Sequence, residues 1–198
     1  MMIYNDKSPQ IMNFKTSLKF LFTAACILLM FTSCSKDELD NYGNETAITV
    51  KLKGAENNLQ NLMIDIKDVQ LLIGADANTP GAWMSLDLLS SGVYNVTQLN
   101  NDNELILVDG MLIPSGEVQQ IKLLLGNDNA IIVHNQSRPL GSDAEELASS
   151  NIVAKRLASN KNYEFTLEFE SDNSIIVTAD DSINFVPKMN TLIRHLQY

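Results

Sequence analysis

Cysteine is nearly absent from this chain of 198 residues: only Cys26 and Cys34 occur, both near the start. From residue 35 onward there is no thiol for a disulfide, a cysteine-ligated zinc site or a nucleophile. The folded part must therefore stand on core packing. Histidine is as scarce, with His134 and His195 alone. Each ends an apolar strand and reads as a solvent-facing terminus. Without cysteine, two such residues make a tetrahedral zinc site only if carboxylates complete it. Basic clusters are also missing. After Cys34, 11 Lys and Arg face 23 Asp and Glu, a net charge of −12. Such a surface repels nucleic acid and anionic lipid headgroups. Nucleic acid is excluded as a partner. No Gly-x-Ser-x-Gly elbow, phosphate loop or Gly-rich dinucleotide turn occurs, which removes the common signatures of hydrolases and nucleotide enzymes.

What is present suits one ordinary globular domain: 45% of residues are hydrophobic and 19% charged. Ahead of it, Phe20 to Phe31 forms an unbroken apolar run behind Lys15 and Lys19. A membrane span needs about 20 residues, so the short run and its basic front mark a secretory leader. Met12 is a second candidate start, because MNFKTSLKFLF is a complete leader opening.

The leader's exit, Phe31-Thr32-Ser33-Cys34, resembles the lipobox of bacterial lipoproteins, with Phe31 where Leu is commoner. The resemblance implies cleavage before Cys34 and lipid on that cysteine. Each buried lipid methylene contributes ~0.8 kcal/mol, so several chains make a permanent anchor. Lys36-Asp37-Glu38 follows. It is similar to the signal that sends Bacteroidetes lipoproteins to the outer face of the outer membrane. The chain thus divides into a leader over 1–33, a lipidated tether over 34–45 and a folded domain over 46–198.

Within the domain the dominant period is two, the signature of half-buried strands. Ile48, Val50 and Leu52 share one face, as do Leu62, Ile64 and Ile66. Beyond Asp68 the apolar positions become Val69, Leu71 and Ile73, of opposite parity. One strand changes parity only across an extra residue, which predicts a β-bulge at Lys67–Asp68. Gly126-Asn127-Asp128-Asn129 predicts a hairpin turn onto Ala130 to His134. Gly141 to Asn151 is the one stretch with helical propensity. Tyr163 to Glu170 alternates throughout, with Glu164, Glu168 and Glu170 read as its solvated side. Short strands separated by turns predict an all-β, antiparallel sandwich or barrel.

Several motifs recur in a recognisable order: Ile64 to Val69, Trp83-Met84-Ser85-Leu86, Leu112 to Gly116 before Gln120 to Leu123, Phe169-Glu170, and Phe185-Val186-Pro187-Lys188. Together they resemble the domain of unknown function 4382 family of Bacteroidetes lipoproteins, over about Thr46 to Ile193. Glu170 stands where the family usually has Asp, and Val186-Pro187-Lys188 replaces a Lys-Pro. The resemblance implies a Greek-key, prealbumin-like sandwich and supplies no activity.

Three groups of residues remain as functional candidates. Trp83 has the parity opposite to Met84, Leu86 and Leu88, so it faces outward and, beside Tyr94, is a candidate ligand platform. Covering a sandwich edge is the other role of such a tryptophan. Asp181-Ser182-Ile183 resembles an acceptor of bacterial O-glycans at Ser182. The Asp/Asn loops at 101–104, 128, 172–173 and 180–181 carry calcium-type oxygens but lack the required ligand spacing, so they read as turns. The expectation is a surface-exposed outer-membrane lipoprotein whose module binds a glycan or protein, or is structural, without catalysis, metal or cofactor. The alternative is a carbohydrate-active hydrolase or esterase using surface carboxylates.

Overall fold

Alternation builds the first strand: in β1 (Glu45–Gly54) Ile48, Val50 and Leu52 point one way and are fully buried. A strand that buries alternate residues needs neighbours and a second layer to cover them. The structure, a computed structural model, describes residues 44–55, 61–73, 76–79, 81–141, 147–177 and 183–197. The leader, Cys34, the Lys36-Asp37-Glu38 segment and Ser182 lie outside the described residues.

The chain continues through β2 (Leu62–Ile73), β3 (Trp83–Leu86), β4 (Gly92–Asn95), β5 (Leu105–Pro114), β6 (Gly116–Leu125) and β7 (Ala130–Val133). Then follow β8 (Gln136–Pro139), β9 (Ala148–Leu157), β10 (Asn162–Phe169), β11 (Ile175–Val177), β12 (Ile183–Phe185) and β13 (Met189–Leu196). A 3-10 turn at Val96–Gln98 and a one-turn helix, α1 (Ser171–Ser174), complete the described elements.

One sheet has four strands in the order β13-β10-β1-β5. The other has seven, β8-β7-β2-β6-β9 with β3 and β4 also on β2, and β11 pairs with β12 apart from both. Apolar residues of both large sheets, including Ile48, Leu71, Ile121 and Phe165, join in one buried core. The all-β sandwich expected from the alternation is the observed fold. Its pairings are antiparallel except for β1 with β10, which run parallel.

The bulge in β2 stands where the parity change put it. Ile66 pairs with Leu125 and Asp68 with Leu124, so Lys67 and Asp68 together face a single step of β6. The extra residue lets Ile64, Ile66, Val69 and Leu71 all reach the core, each fully buried.

Two expectations are corrected. Gly126 to Asn129 closes no hairpin, because β7 pairs with Leu62–Met63 of β2 and extends the line that β6 follows. The four residues bulge out of that line and are tied back. Gly126 N donates to Asp65 O at 2.7 Å, Asp65 N to Asn129 Oδ1 at 2.9 Å, and Asn129 Nδ2 to Gly126 O at 2.6 Å. Glycine is required there, since a Cβ on Gly126 would lie 2.0 Å from Asp65 Oδ2. The actual hairpin joins β7 to β8 through His134 and Asn135, at φ 50° and 59°. The expected helix at Gly141–Asn151 is also overturned where described: Ala148 to Asn151 open β9, which pairs with β6. A partner edge outweighs weak local helical preference.

Candidate functional site

The core cluster is apolar, and the outer face of each large sheet carries a cluster of side chains.

On the seven-stranded sheet, Trp83 pairs with Leu72, which pairs in turn with Gln120 and through it with Ile152. Directly paired residues share a face, so these four form a row across the sheet. Leu72 has the parity opposite to core Leu71 yet is only 2% exposed. The half-buried Trp83 beside it supplies cover, and Lys122 Nζ lies 4.5 Å from the indole centroid. Cation–π contacts of this kind contribute about 0.5–1 kcal/mol at exposed sites. Alongside, Asp68 accepts from Ser85 Oγ and Gln70 Nε2, both at 2.8 Å. Ile152 ends the row at 82% exposure.

Tyr94 does not join Trp83, which corrects the expected pair. It pairs with Ile64, packs against the core and donates its hydroxyl to Ser90 Oγ at 2.9 Å. β3 and β4 lie along the same edge of β2, with Trp83 at Leu72 and Tyr94 at Ile64. Eight residue steps along β2 separate them, about 26 Å, and they face opposite sides of the sheet.

On the four-stranded sheet, Glu164 is not the solvated strand residue expected from alternation. It is 4% exposed and stands between Lys51, whose Nζ is 2.9 Å away, and Arg194. Lys51 also reaches Glu104 at 3.0 Å. Hydrogen bonds to Glu164 and then to Glu104 raise the Lys51 pKa above its ordinary value. Lys53 meets Glu168 at 3.2 Å and Asn101 at 2.9 Å. β10 is an inner strand of its sheet, so long cations from β1 and β13 close over its carboxylate. Alternation marked the side on which Glu164 lies but not the neighbours that bury it.

The remaining candidates have structural partners. Asn100 accepts from the amides of Asp102 and Asn103, an Asx-type turn. Glu170 has left β10 and is held by Asn173 and Asn190. His134 sits in the β7–β8 turn, and His195 packs on Tyr163 with ring centroids 5.4 Å apart. Among the described residues no three His, Cys, Asp or Glu side chains gather so as to hold a metal ion.

Two sheets around one apolar core, with polar clusters on their outer faces, define an all-β sandwich domain. A family model described as Domain of unknown function (DUF4382) matches residues 45–187, and the chain belongs to that family. No curated protein and no solved structure matches it.

Proposed function

We propose that this is an outer-membrane lipoprotein, anchored through lipid on Cys34 and facing the cell exterior, whose sandwich is a non-catalytic binding or structural module. Support for the anchor comes from the apolar leader and Phe31-Thr32-Ser33-Cys34. The observation that carries the module reading is the Trp83–Leu72–Gln120–Ile152 row. It sets the half-buried Trp83 and the exposed Ile152 on the same outer face as the amide and carboxylate groups of Gln70 and Asp68, apolar and polar groups of the kinds that contact glycans and peptides.

The rival, a hydrolase using paired carboxylates, would draw on Glu104 and Glu164, which converge on Lys51. Such a pair needs one carboxylic acid that is neutral and free to protonate a leaving group. Here both carboxylates serve as counter-ions to one ammonium, which favours an ion-paired surface over a catalytic pair.

Two measurements test the reading. An alkyne fatty acid should label the wild-type chain in cells and not Cys34→Ser; label on the variant removes the anchor. A glycan array with the purified mature chain, repeated with Trp83→Ala, tests the face. Ligand binding that is indifferent to Trp83→Ala places the ligand elsewhere, and glycoside cleavage abolished by Glu164→Gln restores the rival.

A further inference from the structure

The chain enters the sandwich at one end, and that end differs chemically from the other. Asn44 O accepts from Ser115 N at 2.6 Å and Glu45 O from Asn160 N at 2.7 Å. Lys161 O accepts from Ala47 N at 3.0 Å and from Thr46 Oγ1 at 2.7 Å. The entry point is thus wedged between the β5–β6 and β9–β10 turns. Beside it lies a depression of about 400 Å³ lined by Asn160, Lys161, Asn162, His195, Leu196 and Gln197. It offers an ammonium, an imidazole and three side-chain amides, and none of its lining residues is a carboxylate. Lys155 and Arg156 lie near the end of β9, the strand that leads into the β9–β10 turn, with Glu117 paired opposite Arg156 and Glu45 exposed at the start of β1.

The opposite end of β10 is the reverse. A depression of about 380 Å³ there is lined by Glu168, Glu170 and Asp172 together with Asn173 and Asn190. The net charge of −12 on the mature chain is therefore unevenly spread. Ten residues, 35–44, separate Cys34 from the fold. At full extension they reach about 35 Å, so a lipid on Cys34 keeps this end of the sandwich within reach of the bilayer surface.

We propose that the chain-entry end faces the membrane and that the Asn160–Gln197 depression receives the phosphate of a lipid headgroup. The proposal rests on the reading of Cys34 as the anchor, and it adds an orientation: the acidic end points away from the bilayer. The attraction of a lysine to an anionic bilayer is weak and is lost beyond a Debye length, so the contact matters only where a tether already holds it.

The test replaces the natural anchor by a chemical one. The mature chain made without lipid has one thiol, Cys34, which couples to a maleimide lipid in vesicles of phosphatidylcholine and phosphatidylglycerol. With a gadolinium-chelate lipid present, amide signals of Asn160 to Asn162 and His195 should broaden several-fold more than those of Asp102 and Asp172. Lys161→Glu should at least halve that difference. Among the described residues the bonds that tie Lys161 into the fold run through its backbone, so the variant should keep its structure. Lys188→Glu, the same charge change at the other end, should leave the difference intact. Equal broadening at both ends, or a difference unchanged by Lys161→Glu, overturns the proposal. So does saturation of the same amides by inorganic phosphate with no preference for vesicles, which would identify a free anion as the ligand. These outcomes hold whether or not cells acylate Cys34, which the fatty-acid label tests separately.

Discussion

The side-chain carbonyl of Asn129 accepts the backbone N–H of Asp65 at 2.9 Å, taking the place of a strand residue in a buried ladder. Its amide group donates to Gly126 O, so one side chain seals both sides of the gap between β6 and β7. Asn129 is 2% exposed, and water cannot take over these partners. Asn129→Ala leaves a buried N–H and a buried C=O unpaired, at about 1–3 kcal/mol each. The expected loss is about 3 kcal/mol, read as a lower urea midpoint. Asn129→Asp keeps the acceptor, loses the donor and adds charge beside Asp65, so it should not rescue. A midpoint unchanged in Asn129→Ala would show that the bulged loop is held by other contacts.

The bulge at Lys67–Asp68 makes a second prediction. Deleting Lys67 forces regular pairing and turns either Val69 and Leu71 or Ile64 and Ile66 away from the core, all four being fully buried now. Each large apolar side chain exposed costs roughly 2 kcal/mol, and whole domains are stable by only about 5–15 kcal/mol. Lys67→Arg is the control. It keeps the chain length and a cation beside Asp65, whose side chain is 3% exposed and 3.0 Å from Lys67 Nζ, so the loss should stay below about 1 kcal/mol. Thermal melts of the two variants should differ widely. Equal melting would show that register is set elsewhere in β2.

These cases mark what the sequence disclosed. Parity is a local property, so the faces of β1, β2 and β10, the Lys67–Asp68 bulge and the outward Trp83 were all legible. Partner choice is not local. Gly126-Asn127-Asp128-Asn129 has the residues of a hairpin turn, and only the pairing of Leu62–Met63 with β7 makes it a bulged loop. Glu164 lay on the predicted side of its strand, but Lys51 and Arg194 come from β1 and β13 to bury it. Tyr94 lies on another strand than Trp83, so parity within β3 says nothing of its face. Its distance from Trp83 followed only once both strands were placed on β2.

A third prediction concerns which side of the outer membrane holds the domain. Lys36, Asp37 and Glu38 follow the anchor cysteine directly, and as an export signal they would act before any folded contact is made. Trypsin added to intact cells should remove the domain from wild type, and replacing all three residues with alanine should protect it. The replacement leaves β1 onward untouched, so the purified variant should melt like wild type. Protection of the wild-type domain in intact, fully viable cells would place it in the periplasm.

The last prediction follows from Lys51, whose ammonium stands between Glu164 and Glu104. Hydrogen bonds to those carboxylates raise its pKa above the ordinary value of 10.5. A lysine whose pKa is higher in the folded chain than in the unfolded one binds its proton more tightly in the native state. Its contribution is therefore fully present below the unfolded pKa and is lost as pH rises through the folded value. Lys51→Met keeps most of the side chain's apolar stem and removes the charge, leaving Glu164 nine-tenths buried beside Arg194 alone. Wild type should exceed Lys51→Met in urea midpoint by a constant margin from neutral pH to about pH 10, and the margin should shrink above that. Taking the difference between the two chains cancels the other groups that titrate at alkaline pH. Salt should reduce the margin only in part, because Glu164 is shielded from solvent while Lys51 and Glu104 are not. A margin that stays flat into strongly alkaline solution would mean that Lys51 supports the sheet through its methylenes and not through its charge.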